Sequence, residues 1–153
     1  PDPAGLRPAV MIALDTNILV YAHREDSPHH ARAVQALRDV AGSFSRWAVP
    51  WPCLHEFLAI VTHPRIFSPP TETAVAVEAV TDLIDLPGAL VIGEGEQHLT
   101  VLGQLLLRSG AVGPKVHDAR IAAICHVHGV SELWTADRDF SYFPELTTRN
   151  PLV

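Results

Sequence analysis

A chain of 153 residues is the size of a single domain and is long enough to bury a substantial core. With 48% hydrophobic and 18% charged residues, the composition excludes a largely disordered chain, and no uninterrupted apolar run is long enough to predict a membrane span. The net charge of −6 argues against a broad nucleic-acid-binding surface, which is normally positive, unless the carboxylates are gathered at one site.

The first ten residues and the two cysteines give expectations about domain limits and location. Residues 1–10 contain prolines at positions 1, 3 and 8 and show no periodicity, so we expect a flexible extension or a cloning remnant, followed by a single domain over 11–153. Cys53 and Cys125 form no C-x-x-C pair, and no export signal is visible. Reduced thiols in a cytoplasmic protein are therefore expected.

Short apolar runs and helical spacings predict strands and helices that alternate along the chain. In chain order we expect a strand at 11–14, a helix at 28–40, a strand at 44–49, helices at 54–62 and 71–86, a strand at 90–92, helices at 96–109 and 117–128, a strand at 132–135 and a further short strand near 146–148. Thr71 is the expected cap of its helix. Glycines are expected just past three helix ends, at Gly42, Gly110 and Gly129.

Strands that alternate with helices on short connections predict an α/β fold. We expect a three-layer sandwich with a central, mostly parallel sheet of four or five short strands and helices on both faces. In such sheets, ligands bind at the carboxyl ends of the strands. Acids occur there twice: Asp15 opens a polar loop after the first strand, and Asp137 and Asp139 follow the fourth. Glu56 and Asp118 are expected near helix starts, where the helix dipole favours an anion.

Converging carboxylates are the ligands that Mg²⁺ and Mn²⁺ require, because these hard cations prefer oxygen donors in octahedral geometry. Metal ions held in this way activate water and stabilise the leaving oxygen of a phosphodiester, so no Ser, Cys or His nucleophile is needed. Suitable side chains are present at Asp15, Glu56, Asp118 and Asp137. Since the predicted fold brings at least three of them to one sheet edge, the sequence predicts an acidic metal site.

Four segments around these acids resemble the motifs of PIN domains and occur in the family's order. They are IALDTNILVYA around Asp15, PWPCLHEF around Glu56, VHDARIAA around Asp118 and LWTADRDF around Asp137. Together they extend over most of the chain, from 11 to about 144. The chain is therefore similar to VapC toxins of the mycobacterial type, which belong to type II toxin–antitoxin systems, and a PIN domain over 11–153 is expected.

This resemblance implies a function, a cofactor and partners. It implies an endoribonuclease that depends on Mg²⁺, with Mn²⁺ as a substitute, and that inhibits translation or growth by cleaving RNA such as a tRNA or an rRNA loop. The implied partners are a cognate VapB-like antitoxin and a second copy of the chain in a homodimer, with no role for a membrane.

The resemblance also implies roles for individual residues. The implied catalytic residues are Asp15, Glu56, Asp118 and Asp137, and the implied metal ligands are Asp15, Asp118, Asp137 and Asp139. Hydrogen bonds that orient the carboxylates are expected from Thr16, Asn17 and Thr135.

Two other functions are compatible with some of the same acidic residues. A non-catalytic RNA- or protein-binding PIN module is expected to lack one or more of the acids, whereas this chain keeps all four. A haloacid-dehalogenase-like phosphatase needs a second Asp two positions after the first, where this chain has Asn17. Each acid also has a structural alternative: Asp15 or Asp139 in a turn, Glu56 facing solvent, or Asp118 beside a helix dipole.

Overall fold

The computed structural model describes residues 10–44 and 46–153. The extension expected at 1–10 therefore lies outside the described residues, except for its last position. The elements are β1 Ile12–Leu14, α1 Thr16–His23, α2 His30–Ser43, β2 Trp47–Pro50, α3 Trp51–Val61, α4 Thr73–Ile84, β3 Ala89–Ile92, α5 His98–Ser109, α6 Lys115–Val127, β4 Glu132–Trp134, a 3₁₀ helix Arg138–Tyr142 and β5 Thr148–Arg149. No helix in the described ranges is long and apolar enough to cross a membrane.

The described strands form one sheet in the order β3-β2-β1-β4-β5, and every neighbouring pair is parallel. β1 is central, because Ala13 pairs with Ala48 of β2 on one side and with Leu133 of β4 on the other. The chain crosses first toward β3 and then toward β5, so right-handed connections place α1 to α4 on one face and α5 and α6 on the other. The expected α/β fold with a central parallel sheet is confirmed.

The central strands are buried on both faces, which explains why their sequences are continuously apolar and do not alternate. Every residue of β1 and β2 is buried. Trp47 is buried at the start of β2, and its indole N–H donates to the carbonyl of Pro87 at 2.8 Å, so this polar group keeps a partner. This packed sheet fixes the positions of the segments that leave its carboxyl edge.

Two predictions next to the acids are wrong. The segment after β1 is not a loop: Asp15 caps α1, and the following two residues form the first turn of that helix. α3 begins at Trp51 rather than at 54, because a proline is compatible with the first helical turn. Glu56 consequently lies in the middle of α3 and not near its start.

Further boundaries differ from the predicted ones. β2 begins at Trp47 rather than at 44. Thr71 does not cap α4; Glu72 occupies the cap position, and the Thr71 hydroxyl instead hydrogen-bonds His23 and Arg24. Tertiary partners have therefore replaced the local cap.

Glycine ends two helices as predicted. Gly110 and Gly129 follow α5 and α6 with φ of 69° and 70°, the left-handed conformation that glycine adopts without strain. Gly42, in contrast, lies inside α2, which continues to Ser43.

Candidate active site

Asp15 is a buried carboxylate at the carboxyl end of β1. Its Oδ1 accepts the backbone N–H of Thr16 at 2.8 Å and the thiol of Cys53 at 3.4 Å, and its Oδ2 accepts the Thr135 hydroxyl at 2.7 Å. Burial raises the pKa of Asp15, while these hydrogen bonds oppose the rise. Three donors therefore hold this carboxylate in one orientation.

The Thr135 hydroxyl joins the segment after β1 to the segment after β4. Besides donating to Asp15, its oxygen accepts the side-chain amide of Asn17 at 3.3 Å and the backbone N–H of Asp137 at 2.9 Å. Asn17 also accepts the N–H of Ala136 at 3.1 Å. Of the three expected orienting residues, Thr135 binds a carboxylate through its side chain, Thr16 does so through its backbone, and Asn17 acts through Thr135.

Three carboxylates converge beside this segment. Asp118, Asp137 and Asp139 each offer an oxygen atom, and these atoms lie within 4.8 Å of one another. Asp118 is in the first turn of α6, and Asp137 caps the 3₁₀ helix by accepting the N–H of Asp139 at 2.8 Å. Together with Asp15 after β1, they place acids from both halves of the chain at the carboxyl edge of the sheet.

The charges of these acids act on one another. The pKa of Asp118 is raised, first by burial and then by the charges of Asp137, Asp139 and Asp15, with a partly compensating effect of Lys115. The charge of Glu56 raises the pKa of Asp15. Glu56 is exposed on α3 and lies outside the group of three converging oxygens, so it belongs to the rim of the site.

Sequence reasoning missed two neighbours of the acids. The Lys115 ammonium lies 3.0 Å from Asp139 and 3.7 Å from Asp118, and it also lies 4.9 Å from the centre of the Tyr142 ring. Its position three residues before Asp118, one helical turn away, was the available signal. Cys53 is the other neighbour, and burial raises the pKa of its thiol, which keeps the thiol protonated and able to donate to Asp15.

The donor set fits a small hard cation. Its ligands are carboxylate oxygens, the type that Mg²⁺ and Mn²⁺ prefer, and they lie within 4.8 Å of one another, where an octahedral Mg²⁺ shell is roughly 4 Å across. The Lys115 ammonium already lies against two of these carboxylates, which indicates that positive charge is favourable there. Asp118, Asp137 and Asp139 are suited to hold such an ion, with Asp15 oriented beside them.

Sequence comparisons identify a family and relatives of this chain. The model of the PIN domain matches residues 12–146. Ribonuclease VapC43 of Mycobacterium tuberculosis is 35% identical over 142 residues, which cover 93% of this chain and 96% of the relative. Ribonuclease VapC48 of the same species is 28% identical over 137 residues, covering 90% of this chain and 94% of the relative.

Solved structures show the same fold at lower identity. VapBC2 from Rickettsia felis, solved with a DNA fragment from its promoter, has a TM-score of 0.68 and 19% identity, covering 92% of this chain and 98% of that chain. VapC20 of Mycobacterium tuberculosis, described as a sarcin–ricin-loop-cleaving toxin, has a TM-score of 0.63 and 17% identity, covering 85% and 92%. A toxin–antitoxin complex from Klebsiella pneumoniae has a TM-score of 0.57 and 20% identity, covering 92% and 97%. Since the family model and a relative above 30% identity both extend over most of its length, the chain belongs to the PIN-domain family, among the VapC ribonucleases.

Proposed function

We propose that this protein is an endoribonuclease that depends on Mg²⁺, or on Mn²⁺ in its place, and that it is the toxin of a type II toxin–antitoxin module. The observation that carries the proposal is the convergence of Asp118, Asp137 and Asp139 within 4.8 Å, beside the buried carboxylate of Asp15. The names of its relatives as ribonucleases support the choice of RNA as the substrate.

The residues of the site have different roles in phosphodiester hydrolysis. Asp15, Asp118, Asp137 and Asp139 would hold the metal, which would supply an activated water and offset the negative charge of the phosphate. Thr135 keeps Asp15 aimed at the site and holds the Asp137 backbone at the same time. We assign Glu56 as the general base that accepts the proton of the attacking water. It is exposed at the rim of the site, and its charge raises the pKa of Asp15.

The proposed partners follow from the relatives. A VapB-like antitoxin is proposed, because a related structure is a toxin–antitoxin complex. A homodimer and a tRNA or rRNA-loop substrate are proposed by the same family likeness, the latter supported by VapC20, which is described as cleaving the sarcin–ricin loop.

Cleavage of cellular RNA by the purified protein tests the function. We expect cleavage with Mg²⁺ or Mn²⁺, none in excess EDTA, and a loss of at least about 100-fold in the variants Asp15→Asn and Asp118→Asn, because each removes a charged metal ligand. Circular dichroism establishes that both variants fold, and mapping of new 5′ ends identifies the target. Undiminished cleavage in EDTA, or by either folded variant, contradicts the proposal. RNA binding without any cleavage would instead indicate a non-catalytic PIN module that binds RNA.

A further inference from the structure

An exposed aromatic ring lies one strand away from the acidic site. Trp51 directly follows β2, and 44% of its surface is exposed, although tryptophan usually buries most of its large apolar area. β2 pairs in parallel with β1, with Ala48 opposite Ala13, which places Asp15 level with Pro50. Trp51 and Asp15 therefore leave the same edge of the sheet on adjacent strands, whose axes lie about 4.8 Å apart.

The ring is held in place by its neighbours. His55, one helical turn along α3, stacks on Trp51 with ring centres 5.8 Å apart and an angle of 28° between the planes. Gly93, just after β3, provides the space beside the ring: a Cβ added there would lie 3.1 Å from Trp51 Cδ1. The chain therefore keeps an exposed tryptophan fixed in position, and the residue after His55 is Glu56 of the proposed active site.

The loop under this ring is tied to the helix that carries Asp118. The carbonyl of Gly93 accepts the imidazole of His128 at 2.9 Å, and Glu94 pairs with the guanidinium of Arg120 on α6. Arg120 and Asp118 both belong to α6, so the loop under the ring contacts the helix that supplies one of the acids. A chain bound along the carboxyl edge of the sheet, which Trp51 and Asp15 both adjoin, would meet the aromatic ring beside the site.

We propose that Trp51, backed by His55 and seated against Gly93, stacks with an unpaired nucleobase of the RNA beside the phosphate that is cleaved. This inference rests on the proposed ribonuclease function. At a net charge of −6 the protein gains little from general attraction to the RNA backbone, whereas stacking on an aromatic face does not depend on charge. Single-stranded loops, whose bases are free to leave the stack, are the RNA that such a ring recognises.

The experiment measures binding without cleavage, in an Asp118→Asn background with Mg²⁺. The ligands are a labelled single-stranded RNA of about 12 nucleotides, the same strand in a duplex, and a strand of equal length without bases. The variants are Trp51→Ala, Trp51→Phe and Gly93→Ala, with Leu107→Ala as a matched control, because Leu107 is an apolar residue of α5 that is 88% exposed. Circular dichroism melting monitors folding.

We expect Trp51→Ala to weaken binding of the single strand roughly 5- to 100-fold, while Trp51→Phe stays within a few-fold of the parent. Gly93→Ala should also weaken binding, since the added methyl displaces the ring. Leu107→Ala should have no effect, and the duplex and the baseless strand should bind the Ala variant and the parent equally. RNA should also quench the protein's fluorescence through Trp51, because the other two tryptophans, Trp47 and Trp134, are buried.

Equal binding of single-stranded RNA by the parent and by Trp51→Ala overturns the proposal. So does a change in oligomeric state on substitution, measured by light scattering, because Trp51 would then contact a second copy of the chain. Cleavage by the unsubstituted protein is assayed separately. If it cleaves RNA while binding ignores Trp51, the stacking proposal alone fails; if binding depends on Trp51 but no cleavage occurs, the ribonuclease proposal fails alone.

Discussion

The Thr135 hydroxyl makes three hydrogen bonds, and each joins a different part of the site. Thr135→Val keeps the shape of the side chain but leaves Asp15 and the N–H of Asp137 short of a partner. We expect the substitution to lower the free energy of unfolding by about 1–3 kcal/mol and to weaken Mn²⁺ binding, measured by urea unfolding and by calorimetric titration.

Thr81→Val is the matched control for this change. The Thr81 hydroxyl is exposed and bonds only the carbonyl of Val77 in its own helix, at 3.1 Å. Its loss should cost no more than about 0.5 kcal/mol. If the two valine variants unfold at the same urea concentration, Thr135 does not have the connecting role assigned to it.

Lys115 places an ammonium among the carboxylates that would bind the metal. Lys115→Met keeps most of the length of the side chain and removes its charge. We expect the melting temperature in EDTA to fall, because the acids lose their counter-ion, and Mn²⁺ to bind about tenfold more tightly, because it no longer displaces a resident cation. The measurements are thermal melting and calorimetric titration with Mn²⁺.

Arg108→Met is the control for the loss of a positive charge. Arg108 pairs with Glu145 at 3.1 Å, so this variant should bind Mn²⁺ as the parent does. Weaker Mn²⁺ binding by Lys115→Met would mean that Lys115 holds the ligands in position instead of competing with the metal.

The ionised carboxylate of Asp118 destabilises the fold of the metal-free protein. Its pKa in the fold is raised above the ordinary 3.8, so the stability that the protonated carboxyl contributes is lost as the pH rises through the folded pKa. In EDTA at about pH 7.5, Asp118→Asn should therefore unfold at a higher temperature than the parent. Its free energy of unfolding should be larger by about 0.5–2 kcal/mol. This advantage should shrink as the pH falls toward 3.8, where the parent's carboxyl is itself protonated.

Mn²⁺ should reverse the order of the two melting temperatures. An ion that binds only the folded state stabilises it by roughly 2.7 kcal/mol at a hundredfold excess over its Kd, and the parent should gain more of this than the variant. If Asp118→Asn melts below the parent in EDTA, or gains as much from Mn²⁺, Asp118 serves as a helix-start residue and not as part of a repelling metal cluster.

Among the elements, the helices with clear periodicity and the strands with short apolar runs could be predicted, whereas α1 could not. The run Ile18, Leu19 and Val20 is entirely buried and has no polar side, so it lacks the spacing that identifies a surface helix. It is helical because Asp15 caps it and because α2 and α3 pack against it. These are tertiary causes, which a local pattern does not contain.

The acids and their convergence at one sheet edge could be predicted from strand ends and motif order, but the places of Asp139 and Glu56 could not. Asp139 lies in the site and not in a solvated turn because of the 3₁₀ helix that Asp137 caps, and the sequence pattern did not predict this helix. The exposure of Glu56 depended on where α3 begins. Trp51 could not be predicted because its support comes from Gly93 on another element, whereas the spacing of Lys115 from Asp118 was a signal that was not used.

For the molecule as a whole, an acidic site in a protein of charge −6 is also a receptor for positive groups. A guanidinium pairs with carboxylates through two hydrogen bonds, so we expect an antitoxin segment to place an Arg among Asp15, Asp118 and Asp137. Replacing the Arg residues in the tail of the cognate antitoxin with Gln should relieve its inhibition of RNA cleavage. If inhibition survives removal of every such charge, the antitoxin acts by another contact.

The position of β4 beside β1 has a consequence for how the protein is made. Ile12 pairs with Glu132, and Asp15 accepts the hydroxyl of Thr135, so the site joins residues that are synthesised 120 positions apart. A ribosome that is still translating the chain has exposed Asp15 and Glu56 long before the segment that orients and completes their surroundings. A nascent chain that ends before Thr135 therefore lacks both the hydroxyl that orients Asp15 and two of the three converging carboxylates, Asp137 and Asp139.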